Sequence, residues 1–125
     1  MGYYYTMTGC SVRIPAENID RATERVRRAF LPEPEDCDLK TMLGDVGLSF
    51  DIFRESGDLV MWGGSTRYER AMNILASIAD LIEPGDGCDE AYVVWQGDEG
   101  TDYKRQVFKD GVATIQNGHA VINWS

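Results

Sequence analysis

Apolar and polar side chains alternate toward the end of residues 3–14, with Cys10, Val12 and Ile14 on one face and Ser11 and Arg13 on the other, which predicts an opening strand. The run Tyr3-Tyr4-Tyr5 puts aromatic rings on both faces of it. Pro15 then breaks the strand and suits the first turn of a helix. Ile19, Ala22, Val26, Ala29 and Phe30 recur at spacings of three and four, one apolar stripe of a helix. On its polar face Glu17 precedes Arg21 and Glu24 precedes Arg28 by one helical turn, pairs that each stabilise a helix by about 0.2–0.5 kcal/mol. Arg21, Arg25, Arg27 and Arg28 make this the basic patch of the chain. Pro32 and Pro34 forbid regular helix, so residues 31–38 read as a loop. Residues 39–46 have room for one or two helical turns before Gly47.

Leu48, Phe50 and Ile52 alternate with Ser49, Asp51 and Phe53, a second strand. Glu55-Ser56-Gly57-Asp58 is a turn signal, residues 59–62 return, and Gly63-Gly64 read as the end of that strand. Thr66 and Glu69 have the spacing of a capping box and open a second helix. Its stripe is Ala71, Ile74, Leu75, Ile78, Leu81 and Ile82, and Pro84-Gly85 stops it. Residues 91–96 are a β-prone strand, residues 103–108 return after Gly97-Asp98-Glu99-Gly100, and residues 112–116 follow the turn Asp110-Gly111. Asn117-Gly118 is the strongest short hairpin signal and predicts a last strand over residues 119–124. The order is β-α-β-β-α-β with extra C-terminal antiparallel strands, an α+β, ferredoxin-like arrangement with two helices packed on one sheet face. Residues 1–125 form one domain, with no repeat or linker.

Composition narrows the function classes. Twelve basic against twenty-one acidic residues give a formal charge of −9, which repels phosphate backbones and makes nucleic acid an unlikely partner. The charge leaves two uses, simple solubility or contact with a basic partner surface. No apolar run reaches the ~20 residues of a membrane span, and residues 1–10 lack a signal-peptide pattern, so a cytoplasmic protein is expected. Cys10, Cys37 and Cys88 lack zinc spacing and cannot all pair, so reduced thiols are expected, with Cys10 in the core. No metal or cofactor is called for.

Candidate chemistry is sparse. A nucleophilic triad needs a histidine, and His119 is the single one, placed by sequence beside a turn. Asp98, Glu99 and Asp102 could approach across a hairpin and divide acid and base roles. Asp86-Gly87-Cys88-Asp89-Glu90 lacks the regular oxygen spacing of a calcium loop. Tyr3, Tyr5, Phe53, Trp62 and Tyr92 are candidates for an exposed sheet face, where Trp and Tyr serve as anchors for a protein partner. The other candidate contact surface is acidic: Glu33, Glu35, Asp36 and Asp38 in one loop, Asp86, Asp89 and Glu90 in another.

The stretches Met1-Gly2-Tyr3-Tyr4, Gly97-Asp98-Glu99-Gly100-Thr101-Asp102-Tyr103, Phe108-Lys109-Asp110-Gly111 and Ile122-Asn123-Trp124 carry a resemblance. The C-terminal third, together with the opening Met-Gly-Tyr-Tyr, resembles a group of small uncharacterised proteins of bacteriophages, prophages and plasmids, some described as ferredoxin-like. Those proteins often open Met-Gly-Tyr-Tyr and carry Gly-Glu-Glu-x-Gly-Asp-x-Trp, then Phe-x-x-Gly and Ile-x-Trp. Tyr103 stands here in place of that Trp, and the acid spacing differs. The resemblance carries over no catalytic residue. It implies a mobile-element origin, and hence a non-enzymatic binding protein, most sharply an inhibitor of a host defence system. A carboxylate-dependent hydrolase or nucleotide-processing enzyme, and a self-associating structural protein with a possible homodimer, are the alternatives.

Overall fold

The computed structural model describes residues 3–29, 38–67, 69–85, 87–98 and 102–119. Among the described residues it is an α+β fold with three α-helices and seven strands, and every strand pair is antiparallel. The predicted opening strand divides into β1 (Tyr4–Ser11) and β2 (Arg13–Ile14). The division lies at Val12, whose carbonyl accepts from the Met61 N–H at 3.0 Å. Strands β3 (Leu48–Ile52) and β4 (Leu59–Arg67) form the first hairpin. Strands β5 (Ala91–Gly97), β6 (Asp102–Lys109) and β7 (Val112–His119) form the C-terminal meander. The sheet runs β2-β4-β1-β5-β6-β7, with β3 also on β4. Leu59 and Val60 pair with both β2 and β3, so β4 lies between them.

Pro15 precedes a 3-10 turn at Ala16–Asn18, which leads into α1 (Ile19–Ala29). Ala22 and Val26 of the predicted stripe are fully buried, and Phe30 lies outside the described residues. Glu24 and Arg28 pair at 2.7 Å, while Arg21 donates to Asn18. Helix α2 (Leu39–Asp45) is opened by Asp38, whose Oδ1 accepts from the Thr41 N–H at 2.8 Å. This N-cap satisfies a donor that the first turn leaves free. Helix α3 (Arg70–Ser77) is followed by a 3-10 turn at Ala79–Leu81, and all six residues of the second predicted stripe are buried. Arg25 of α1 grips Asp80 of that turn with both terminal nitrogens. Buried Gln106 ties β6 to α3 by donating to the Met72 carbonyl at 2.8 Å. Ala91, Val93 and Trp95 of β5 are buried, whereas Tyr92, Val94 and Gln96 between them are half-buried. This alternation is what a strand with one covered face produces.

Three turn signals resolve differently from expectation. Strand β4 runs through Gly63-Gly64 to Arg67, and Gly64 permits a close backbone approach: a Cβ there would stand 2.8 Å from the Gly47 carbonyl oxygen. The second helix therefore begins at Arg70, and the capping box does not form. The Thr66 hydroxyl, still in β4, accepts from the Ala71 N–H at 3.0 Å, while Glu69 makes no side-chain cap. Asn117-Gly118 is no hairpin turn either; both residues continue β7, opposite Lys104 and Tyr103. The turn predicted at Asp110-Gly111 does form, with both residues at positive φ (54° and 79°), the backbone that a two-residue hairpin needs. The predicted strand over residues 119–124 lies, beyond His119, outside the described residues.

Asp58 locks the β3–β4 turn to the start of α1. Its carboxylate accepts from the Ala16 N–H and from Arg13, each at 2.8 Å. The Ala16 N–H, then Arg13, hold this carboxyl below the usual aspartate range; Asp38 and Asp80 are lowered likewise by Thr41 and Arg25. A carboxyl depressed in the folded state stabilises the fold above its ordinary value near 3.9, and that stability is lost as pH falls through the folded value. Asp58→Asn is thus expected to flatten the acid limb of stability. Urea midpoints measured downward from about pH 5 test this, since an unchanged slope would remove Asp58 from the account.

Candidate functional site

Two places gather chemistry-bearing side chains. The first is the set of strand positions that the core does not use. Ser49 pairs with Gly63 and Phe50 with Met61, so Trp62 is the extra residue of a β-bulge. A bulge re-aims a side chain, and Trp62 is 65% exposed. Tyr4, 45% exposed, pairs across the sheet with Arg67. Tyr92 lies beneath the Arg105 guanidinium, 5.6 Å from the ring centroid, and Arg105 is held by Glu90 at 3.1 Å. Phe53 is exposed after β3.

Tyr5 belongs elsewhere, which corrects its placement on the exposed face. It is only 7% exposed and packs into the core, because it shares the parity of Met7 and faces Gly97 across β5. Tyr3 is half-buried beside it, with ring centroids 5.1 Å apart in edge-to-face contact.

These two tyrosines open the second place, a hollow of about 760 Å³ that Arg67, Glu69, Arg70 and Asn73 also line. Both tyrosine hydroxyls donate to Asp102 Oδ2, at 3.1 Å from Tyr3 and 3.3 Å from Tyr5. Lys104 Nζ stands 3.6 Å from Glu69 and 5.9 Å from the Tyr5 ring centroid, and donates to Asn117 at 3.0 Å. Burial first, then the Asp102 charge and hydrogen bond, push the Tyr5 hydroxyl up to about 12. The arrangement makes one carboxylate the shared acceptor of two phenols. A group with a raised folded pKa contributes stability in full below its unfolded value, here near 10. That contribution is lost as pH rises through the folded value. Ultraviolet titration is expected to show one tyrosine ionising last, near pH 12 or on unfolding, and Tyr5→Phe to delete that step. Its persistence in the variant would assign it to another tyrosine.

The remaining expected site residues scatter. Asp98 accepts from the Tyr4 backbone N–H at 2.8 Å and so anchors the start of β1. Asp38 caps α2, Asp89 is exposed, and Glu90 is the Arg105 partner. Glu33, Glu35, Asp36, Asp86 and Glu99 lie outside the described residues. His119 ends β7 opposite Asp102, not in a turn. Cys10 is half-buried; its thiol donates to the Met61 carbonyl at 3.4 Å and is pushed up by burial, while Cys88 is exposed. Among the described residues, no group of three His, Cys, Asp or Glu side chains is placed to hold a metal ion, and no helix is long and apolar enough to cross a membrane. The hollow was missed by sequence reasoning because Tyr3, Glu69 and Asp102 are far apart in the chain; the shared parity of Tyr3 and Tyr5 was its one local signal.

No protein-family model matches the chain, and no curated protein or solved structure matches it.

Proposed function

We propose that this chain is a non-enzymatic binding protein that grips a protein partner through the exposed aromatic positions of its sheet. The observation that carries the reading is Trp62, lifted out of a bulge and 65% exposed. Tyr4, 45% exposed, and Tyr92 under Arg105 are further aromatic positions of the same sheet. Tryptophan, tyrosine and arginine are the side chains that dominate binding energy at protein interfaces. The formal charge of −9 favours a basic partner surface and disfavours a phosphate backbone. In its sharpest form the reading is a phage-type protein that inhibits a host defence complex by contact. The strand sequence β3-β4-β1-β5 supports a ferredoxin-like core, with β6 and β7 added at one edge. Pull-down from host lysate at moderate salt tests the reading when wild type and Trp62→Ala are compared. Removing a dominant anchor is expected to cost at least about 2 kcal/mol, roughly thirtyfold in affinity. A partner held equally by both proteins would refute the surface.

A hydrolase built on Asp98, Glu99 or Asp102 has less support. Asp98 and Asp102 are already engaged, by a backbone N–H and by two tyrosines. One observation favours this second reading, namely that Asp102 binds two side chains of the hollow. Turnover of a phosphate or glycosyl ester that Asp102→Asn abolishes would establish it.

A further inference from the structure

We propose that two copies of this chain pair through their β7 strands, antiparallel, about a dyad perpendicular to the sheet. β7 pairs with β6 along one side, residue by residue from Val112 opposite Lys109 to His119 opposite Asp102. Among the described residues, no strand pairs along its other side. A strand edge presents a row of backbone N–H and C=O groups fitted to another strand, and natural proteins guard such edges with charges, proline, bulges or short length. The opposite edge of this sheet is guarded. β3 has five residues, carries Asp51, is met by a bulge in β4, and is followed by Arg54 and Glu55. β7 has none of these devices. It has eight residues, Val-Ala-Thr-Ile-Gln-Asn-Gly-His, without proline, acid, Lys or Arg, and its register with β6 never shifts. Val112 and Ile115 are 57% and 43% exposed.

Two arguments make the occupant a second copy. The first is charge. Each chain carries −9 overall, so two copies repel across most approaches, and β7 is a stretch where they meet without opposing like charges. A basic partner would gain nothing from an edge that offers no acid. The second is self-complementarity. When identical strands pair antiparallel, the dyad passes between one residue and its own copy. Positions of like parity then face each other, so Ala113, Ile115 and Asn117 meet the same set, and the covered faces of both sheets lie on one side. A dyad near Ile115 or Gln116 engages the whole strand and joins two seven-stranded sheets into one. The inference stands apart from the partner surface around Trp62, because pairing is read without any partner present.

Sedimentation equilibrium of the full chain is expected to show a concentration-dependent dimer. Ile115→Lys and Val112→Lys, each at an exposed position, are expected to raise its dissociation constant at least about tenfold while the circular dichroism of the fold is kept. A monomer at every concentration, or a dimer indifferent to both variants, overturns the proposal. Cysteine scanning supplies a test that does not depend on the lysine variants folding. In a Cys10→Ser, Cys37→Ser, Cys88→Ser background, single cysteines are placed at Ala113, Thr114, Ile115, Gln116 and Asn117 in turn. The position on the dyad brings its Cα within about 4.5–5.5 Å of its copy, inside disulfide range, and is expected to cross-link under mild oxidation far more than its neighbours. Absence of linkage at all five positions overturns the proposal as well.

Discussion

Trp95→Ala is expected to lower the stability of the fold by about 3–5 kcal/mol, the usual cost of emptying a buried large aromatic position. Trp95 is fully buried in the middle of β5, flanked across the sheet by Met7 of β1 and Lys104 of β6. Its indole N–H has no hydrogen-bond partner among the described residues, so packing is its contribution. Domains of this size are stable by about 5–15 kcal/mol in total, so the loss takes a large part of the whole. Trp95→Phe keeps most of the buried ring and is expected to cost clearly less. Urea unfolding with an unchanged slope reads both values. A loss below about 1 kcal/mol for the alanine variant would mean that the site collapses around the void or that β5 is not central.

Gly47→Ala is expected to be at least as damaging, for a reason that hydrophobic burial does not touch. Gly47 sits at φ +94°, and a Cβ there would stand 1.6 Å from the Ser65 carbonyl oxygen. The Gly47 carbonyl in turn accepts from the Ser65 N–H at 2.9 Å. No side-chain rotation relieves a clash with backbone, so β3 must part from β4 or the α2–β3 turn must be rebuilt. Backbone strain alone costs about 1–3 kcal/mol, and the overlap adds to it. Gly57→Ala is the control. Gly57 also has positive φ (+79°), but its new Cβ would meet only the Ala16 Cβ at 3.4 Å. Its expected cost is therefore near the strain alone, about 1 kcal/mol. Equal losses at the two glycines would refute the close approach of Gly47 to β4.

The elements that sequence made legible are those whose signal is local and periodic. The stripe from Ala71 to Ile82 appears in full because burial repeats with the helical turn. Asp110-Gly111 works as a turn because both residues accept positive φ. The same local reasoning fails at Gly63-Gly64 and Asn117-Gly118, where neighbouring strands decide: Gly64 yields space to Gly47, and Asn117 is taken up by Lys104. The candidate site was less legible than the fold. Trp62 was found as an exposed aromatic, but the bulge that lifts it depends on the register with Ser49. The parity of Tyr5 could be read, yet which parity faces the core is set by β5, more than eighty residues later. The Tyr3–Asp102 bond is still longer in range, and nothing near either residue announces it.

The position of β1 sets the order of events during synthesis. It leaves the ribosome before the other described strands, yet its two neighbours, β4 and β5, are completed only at Arg67 and Gly97. The middle of the sheet therefore stays open until most of the chain has been made, and its closure joins segments far apart along the polypeptide. Such closure is intrinsically slow. During that wait the Tyr3-Tyr4-Tyr5 segment is an unsheltered, sticky strand, and it is there that a nascent-chain chaperone has most to protect.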